Sequence, residues 1–216
     1  MENKLRLRFS KTDTLRFIGH LDFLRVFMQT IRRSGLPVAY SQGFNPHQII
    51  SFALPLSLGM ESVHDYADIT LTEEIPYDEI CSSINAVAPR GLKILDAYKS
   101  AGPAAAAATI AADYCMPANG LSQEKMQEVL AAETLVIPKK TKSGIRDTDI
   151  RPDIYSLNLE NGGEILKMRI SAGSAKFLNP SLVLDLLFVP GEKPCVSSIS
   201  RLELYKSDGN GGFTAL

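Results

Sequence analysis

SAGPAAAAATIAAD, residues 100–113, is where the chain changes character. Gly102 and Pro103 break it, and its alanines carry no apolar stripe, so it predicts a linker with a short helical piece. On each side the same order of patterns appears. Upstream, KLRLRF (4–9) alternates Leu5, Leu7 and Phe9 with Lys4, Arg6 and Arg8, which is the signature of a half-buried strand. IGHLDFLRVFMQTIRRSG (18–35) predicts a helix with Gly19 as N-cap, Asp22 near the positive helix end and Ile18 packed on Phe23. Leu21, Leu24, Phe27, Met28 and Ile31 are its expected buried stripe, and Gly35 with Pro37 stops it. HDYADITLTEE (64–74) alternates again, PYDEICSSINAVAPRG (76–91) reads as a helix with Ile80, Ile84 and Val87 inward, and LKILDAY (92–98) closes a β-α-β-β-α-β series.

Downstream the series recurs. ADYCMPA (112–118) is a short strand, SQEKMQEVLAAE (122–133) a helix, and TLVIPKK (134–140) a strand entering a basic loop. EILKMRIS (164–171) is the strand expected opposite it. NPSLVLDLLFV (179–189) predicts a helix capped by Asn179 with Pro180 at its first position, and SISRLELYK (198–206) is the closing strand. RPDIYSLNLE (151–160) fits either a helical turn or another strand. The expected fold is therefore α+β: two tandem ferredoxin-like (βαββαβ) domains, each an antiparallel sheet with helices on one face. The first spans 1–100, the linker 101–113, and the second 114–216.

The bulk numbers exclude several classes. With 45% hydrophobic and 22% charged residues over 216 positions, the chain is globular rather than disordered or fibrous. No apolar run approaches the ~18 residues of a membrane span. The N-terminal MENKLRLRFSK has no signal-peptide core, so a cytoplasmic location is expected. Cys81, Cys115 and Cys195 are too scattered for an iron–sulfur cluster or a zinc site, and with no dinucleotide or phosphate-loop motif no cofactor is expected. A net charge of −1 gives no global attraction to nucleic acid, so any basic surface must be local.

SQGFNPHQIISFALPLSLGM (41–60) mixes turn-formers with aromatics. Asn45-Pro46 is a strong turn signal that would project His47 from a loop, and Phe44 beside Gly43 would be free to stack on a base. The alternative is that Phe44, Ile49 and Phe52 are core and His47 only satisfies a carbonyl. Arg25, Arg32 and Arg33 lie on the polar face of the first predicted helix; an i, i+3 pair with Asp22 accounts for Arg25 and the helix dipole for Arg32 and Arg33, and they become phosphate contacts only if the helix borders the same groove as His47. His20 opens that helix, either as an anion contact or as a buried polar residue. PKKTKSGIRDTDIR (138–151) gathers Lys139, Lys140, Lys142, Arg146 and Arg151 into a net-positive loop, which reads either as a phosphate-backbone contact or as a solvated lysine-rich turn.

RFSKTDTLRFIGHLDFLRVF (8–27), RRSGLPVAYSQGFNPHQIISFALPLSLGMES (32–62) and DYADITL (65–71) resemble the bacterial radical-SAM-linked family, a domain of unknown function (DUF2344) found alone or C-terminal to a radical SAM protein. The likeness is specific over residues 4–98 and looser beyond. It marks His20, Asp22, Arg25, Tyr40, Ser41, Gly43, Phe44, Pro46, His47, Ser51, Tyr66 and Asp68. Gly19 stands where the family commonly has Ser, and Gln48-Ile49 where it has Pro-Lys. The resemblance implies a radical SAM partner and brings no established reaction. The expected function is a non-catalytic RNA-binding module that presents tRNA or rRNA to such an enzyme. The rivals are a metal-independent ribonuclease, using His47 or His20 with Tyr40, and a protein-interaction domain docking onto the radical SAM partner.

Overall fold

The computed structural model describes residues 3–141, 144–189 and 191–216. Its first half runs β1 (Asn3–Lys11), α1 (His20–Arg33), β2 (Ile50–Phe52), β3 (Glu61–Leu71), α2 (Tyr77–Val87) and β4 (Leu92–Lys99). A single helical turn, α3 (Ala105–Ala108), follows in the connector. The second half runs β5 (Ala111–Pro117), α4 (Gln123–Ala131), β6 (Val136–Thr141), β7 (Gly144–Asp149), β8 (Ile154–Glu160), β9 (Ile165–Ser171), α5 (Pro180–Leu187), β10 (Ser200–Ser207) and β11 (Phe213–Ala215).

These elements form a mixed α+β fold around one large, mostly antiparallel sheet. Its strand order is β4-β1-β3-β10-β5-β9-β8, with β2 also on β3 and β11 also on β10. Two separate sheets were expected, but the sheet is continuous. The reason lies in the length of β2. It covers only the far end of β3, where Ile50 meets Ile69, Ser51 meets Asp68 and Phe52 meets Ala67. The start of β3 would otherwise present an unpaired edge. There β10 adds in parallel, with Ser200 opposite Glu61 and Arg201 opposite Ser62.

Two apolar clusters fill the fold. One packs Leu5, Leu7 and Phe9 of β1 and Ala67 and Ile69 of β3 against Phe23, Phe27 and Ile31 of α1 and Ile80 and Ile84 of α2. The other belongs to the second half but also takes Ala53, Leu54, Leu56 and Met60, so the chain after β2 crosses from one core to the other. Gly19 is the N-cap of α1, as its position predicts, but the buried stripe is rotated. Phe23, Phe27, Thr30 and Ile31 face inward, while Leu21 is 66% exposed. Aromatic packing sets this phase: the rings of Phe23 and Phe27 lie 5.9 and 5.3 Å from Phe9.

The second half corrects two further expectations. TLVIPKK does not lie beside β9; it forms β6, paired with β7 in a separate two-stranded sheet. Pro138 lacks an N–H, which a strand of a two-strand ribbon tolerates on its outer side. The strand beside β9 is β8, so RPDIYSLNLE is a one-turn 3-10 helix followed by a strand. Asn179 caps α5 as the sequence implies, its Oδ1 accepting from Ser181 N at 3.0 Å, and Ser122 caps α4, its Oγ accepting from Lys125 N at 3.2 Å.

The connector is anchored rather than loose, and β5 begins inside it at Ala111. Arg6 Nε donates to Asp68 Oδ1 at 2.7 Å and its Nη2 to Pro103 O at 3.2 Å. Asp68 Oδ2 accepts from Ala105 N at 2.7 Å. Arg6 and Asp68 alternate with residues of the α1–α2 core, so α3 sits on the opposite face of the sheet. The face away from α1 and α2 is therefore covered in part.

Candidate nucleic-acid interface

Residues 41–47 form a knuckle beyond the edge of the sheet. Ala39 N donates to Thr70 O at 2.8 Å, Ile49 N donates to Ala39 O at 2.9 Å, and Tyr40 bridges Gln48, so both stems of the loop are fixed. Ser41 then closes it three ways. Its N–H donates to His47 O at 2.8 Å, its Oγ accepts from His47 N at 3.1 Å, and the same Oγ lies 2.9 Å from His47 Nδ1. Gly43, at φ +118°, takes a backbone conformation that a side chain would resist. The consequence falls on the next residue. Phe44 is 106% exposed, its ring clear of the rest of the chain. Tyr40 at the base is 42% exposed, and Gln42, Asn45, Pro46 and His47 are exposed beside it. With Nδ1 held by Ser41, the Nε2 of His47 is the ring nitrogen left to a ligand.

Among the described residues, several cations of the sequence reading have partners of their own. Arg25 pairs with Asp22 at 2.9 Å on the surface of α1. Arg33 donates to the carbonyl of Val87, while Arg32 is exposed. Arg151 is structural: Nε and Nη2 reach Leu130 O at 3.2 and 2.7 Å, and Nη1 reaches Ile154 O at 2.9 Å, closing the end of α4. Arg146 is exposed on the β6–β7 ribbon, opposite Lys139 in register. Lys142 and the side chains of Lys139 and Lys140 lie outside the described residues. Asp149 pins the ribbon's base, accepting from Leu135 N at 2.7 Å and Arg151 N at 3.0 Å, and these backbone donors hold its carboxyl below the usual carboxylate range.

Three family-pattern residues take scaffold positions. Tyr66 is buried and donates to Glu203 Oε1 at 2.6 Å; burial, and then this hydrogen bond, drive its phenol far above the usual range, and His64 Nδ1 lies 3.0 Å from Glu203 Oε2. These contacts tie β3 to β10 near their junction. Asp68 holds the connector, and Ser51 is exposed opposite it in register.

His20 belongs to a different place. Its ring meets Phe52 edge-on at 5.7 Å and lines a cavity of about 10 Å³ with Lys11, Phe23, Phe52, Leu54, Leu56 and Asp65. Lys11 Nζ donates to Ile18 O at 3.2 Å and lies 4.8 Å from the centre of the Phe23 ring. Asp65 Oδ2 is 2.5 Å from Arg201 Nη2, and Arg201 also donates to the carbonyls of Leu54 and Pro55 at 3.1 and 3.3 Å. Burial lowers the pKa of Lys11 and of His20, the nearby Lys11 charge adding to the effect on His20. Burial also pushes the Asp65 carboxyl up, against the pull of Arg201.

Lys11, Asp65 and Arg201 were absent from the sequence reading, yet the first two had a signal. Lys11 continues the inward phase of Leu5, Leu7 and Phe9, and Asp65 that of Ala67, Ile69 and Leu71.

Residues 4–180 match the family model described as "Uncharacterized protein conserved in bacteria (DUF2344)". The chain belongs to this family. None of the curated proteins matches it. Among solved structures, a chain from the crystal structure of a Cbf5-Nop10-Gar1 complex is similar in fold, with a TM-score of 0.50 at 10% identity over 95% of this chain. This chain spans half of that one, the match covering 50% of its length. No helix among the described residues is long and apolar enough to cross a membrane, and no group of three or more His, Cys, Asp or Glu there is arranged to hold a metal ion.

Proposed function

We propose that this chain is a non-catalytic RNA-binding module that presents a structured RNA to a separate radical SAM enzyme, and that each half is a ferredoxin-like unit. Supporting the second point, the halves carry the same strand order, β4-β1-β3-β2 and β10-β5-β9-β8. The observation that carries the RNA reading is Phe44. A phenyl ring wholly in water on a loop closed by three hydrogen bonds contributes nothing to the core. Its neighbours at the tip are amides, an imidazole and a proline rather than aliphatic residues. That mixture suits a base stacked on the ring with polar groups at its edge, whereas protein-docking patches centre on apolar surface. The loop needs no reorganisation to present the ring, so binding loses little entropy.

Anisotropy of a fluorescein-labelled, mixed-sequence single-stranded RNA tests this. Binding is expected at about 50 mM salt and weaker at about 200 mM, because phosphate contacts release counterions. Phe44→Ala is expected to lower affinity about ten-fold or more, the scale of one lost base–aromatic stack. No binding at low salt, or equal binding by Phe44→Ala, overturns the reading. Cleavage of the RNA that disappears in His47→Ala would instead make the protein a ribonuclease. Stable co-elution with a radical SAM protein without RNA affinity would make it a protein-docking domain.

A further inference from the structure

The strand β10 meets the start of β3; at the other end of β3, beyond Leu71, β1 begins, β4 ends and α2 begins around a cavity of about 750 Å³. The link from β3 to α2 borders it, with Pro76 as the N-cap of the helix. Leu5 and Leu71, both buried, and the half-buried Ile75 give it an apolar wall. Lys4, Lys99, Glu73, Glu74 and Tyr77 also line it and are exposed, so solvent reaches it.

Among the described residues, the side chains of Glu73, Glu74 and Lys99 make no hydrogen bond or ion pair, whereas Asp22, Glu61, Asp68 and Asp96 of the same half are each met by an arginine. The cavity therefore gathers uncommitted charge of both signs beside an apolar wall and a tyrosine ring. Its volume suits a ligand the size of a nucleotide, since pockets of about 300–1,000 Å³ enclose molecules of that scale. An ionised carboxylate only accepts, and its two oxygens together fit a ligand edge that carries two adjacent donors. Among the RNA bases, guanine alone has such an edge, N1–H beside the N2 amine. Adenine and cytosine set a ring-nitrogen acceptor next to their amine, and uracil flanks its one N–H with carbonyls. Asn3, also in the lining, carries an amide that can donate to guanine O6. The face of Tyr77 is free for stacking, and a lysine suits a phosphate.

We propose that this cavity is a guanine-nucleotide site. A carboxylate of the Glu73–Glu74 pair takes the N1–H and N2 donors, Tyr77 stacks on the base, and Lys99 meets the phosphate. The same chemistry recognises a free nucleotide and a guanosine within an RNA strand. Val38, in the stem of the knuckle, bridges Leu71 in the cavity wall, so the two features share one end of β3. The site itself stands on its own lining and does not depend on the RNA reading.

Calorimetric titration of the full chain near neutral pH with guanosine, inosine and adenosine monophosphates is the test. Guanosine monophosphate is expected to bind saturably. Inosine monophosphate, which lacks only the N2 amine, should bind about ten-fold more weakly, the scale of one hydrogen bond to a charged acceptor. Adenosine monophosphate should be weaker still, because its N1 lone pair would face a carboxylate. Glu73→Gln with Glu74→Gln should lose most of this preference, and Lys99→Ala should weaken the monophosphate while leaving guanosine unchanged. These side chains are exposed and unpaired among the described residues, so the urea midpoint should not move. Phe44→Ala should leave binding of guanosine monophosphate as it is, so a failure of the RNA reading and a failure of this one are seen separately. One G placed in a run of U should raise RNA affinity over the all-U strand if the guanosine arrives within RNA, and should leave it unchanged if the nucleotide is free; binding of the monophosphate upholds the site in both cases. No saturable binding of guanosine monophosphate at millimolar concentration, or equal affinity for the three nucleotides, overturns the proposal.

Discussion

Within the single stretch 41–60, the knuckle and the crossing segment behind it place their chemistry in opposite ways. At 41–47 the loop spends its hydrogen bonds on itself and leaves an aromatic ring in water. From Ala53 onward the chain turns under the fold, and the carbonyls of Leu54 and Pro55 are given to a fully buried arginine. One region exposes what a core would use, and the other buries what a surface would use. Substitutions should therefore separate cleanly, the knuckle changing binding without stability and the buried centre changing stability first.

The largest effect is expected at Arg201. Arg201→Met leaves Asp65 buried without its partner, and breaking one side of a buried ion pair costs about 3–5 kcal/mol. Urea unfolding should show a correspondingly lower midpoint. Since Arg201 joins β10 to β3, both apolar cores should melt together. Replacing both partners, Arg201→Met with Asp65→Leu, should recover part of the loss, because the carboxylate is no longer stranded, while Lys11 loses its nearby anion. A single variant as stable as wild type would show that the buried pair does not hold the joint.

Smaller is the effect expected at Ser41. Ser41→Ala removes both contacts made by its Oγ with His47 and leaves only the backbone bond from Ser41 N to His47 O. At about 1 kcal/mol for a hydrogen bond, RNA affinity should fall about five-fold while the urea midpoint stays put, because the loop opens locally. A lowered midpoint would mean that the knuckle supports the fold, and the contrast between the two regions would fail.

Much of this was legible in the sequence, and what was not has physical causes. Alternation found β1 and β3, capping residues found α1 and α5, and turn chemistry placed His47 on a loop. The union of the sheets was hidden, since it rests on β10 meeting the free start of β3 across more than a hundred residues. No local pattern encodes such a contact. Arg151 and Arg33 read as free charges because composition does not show which carbonyl lies within reach of a guanidinium. The buried centre was legible in principle. A lysine and an aspartate on the inward phase of their strands break the polar–apolar alternation that otherwise runs through β1 and β3, and such a break marks either a buried pair or a site.

The finest test of the contrast is pH. Burial and the neighbouring Lys11 lower the pKa of His20 in the folded state, whereas the unfolded chain titrates near the ordinary value of about 6.5. Between the folded pKa and about 6.5 the unfolded state holds more protons, so stability must fall as pH drops through that window and flatten below it. Asp65 works in the other direction: its raised carboxyl binds a proton in the folded state between its unfolded value of 3.8 and its folded pKa, so acidification there is stabilising. Comparing wild type with His20→Gln removes that shared contribution. From about pH 8 to about pH 5.5 the wild type should lose more stability than the variant, by at most one proton's worth of slope. If the wild type instead gained relative to His20→Gln, the imidazolium would be held by Asp65. His20 would then be a charged strut of the joint rather than a neutral, half-exposed residue lining the cavity beside Lys11.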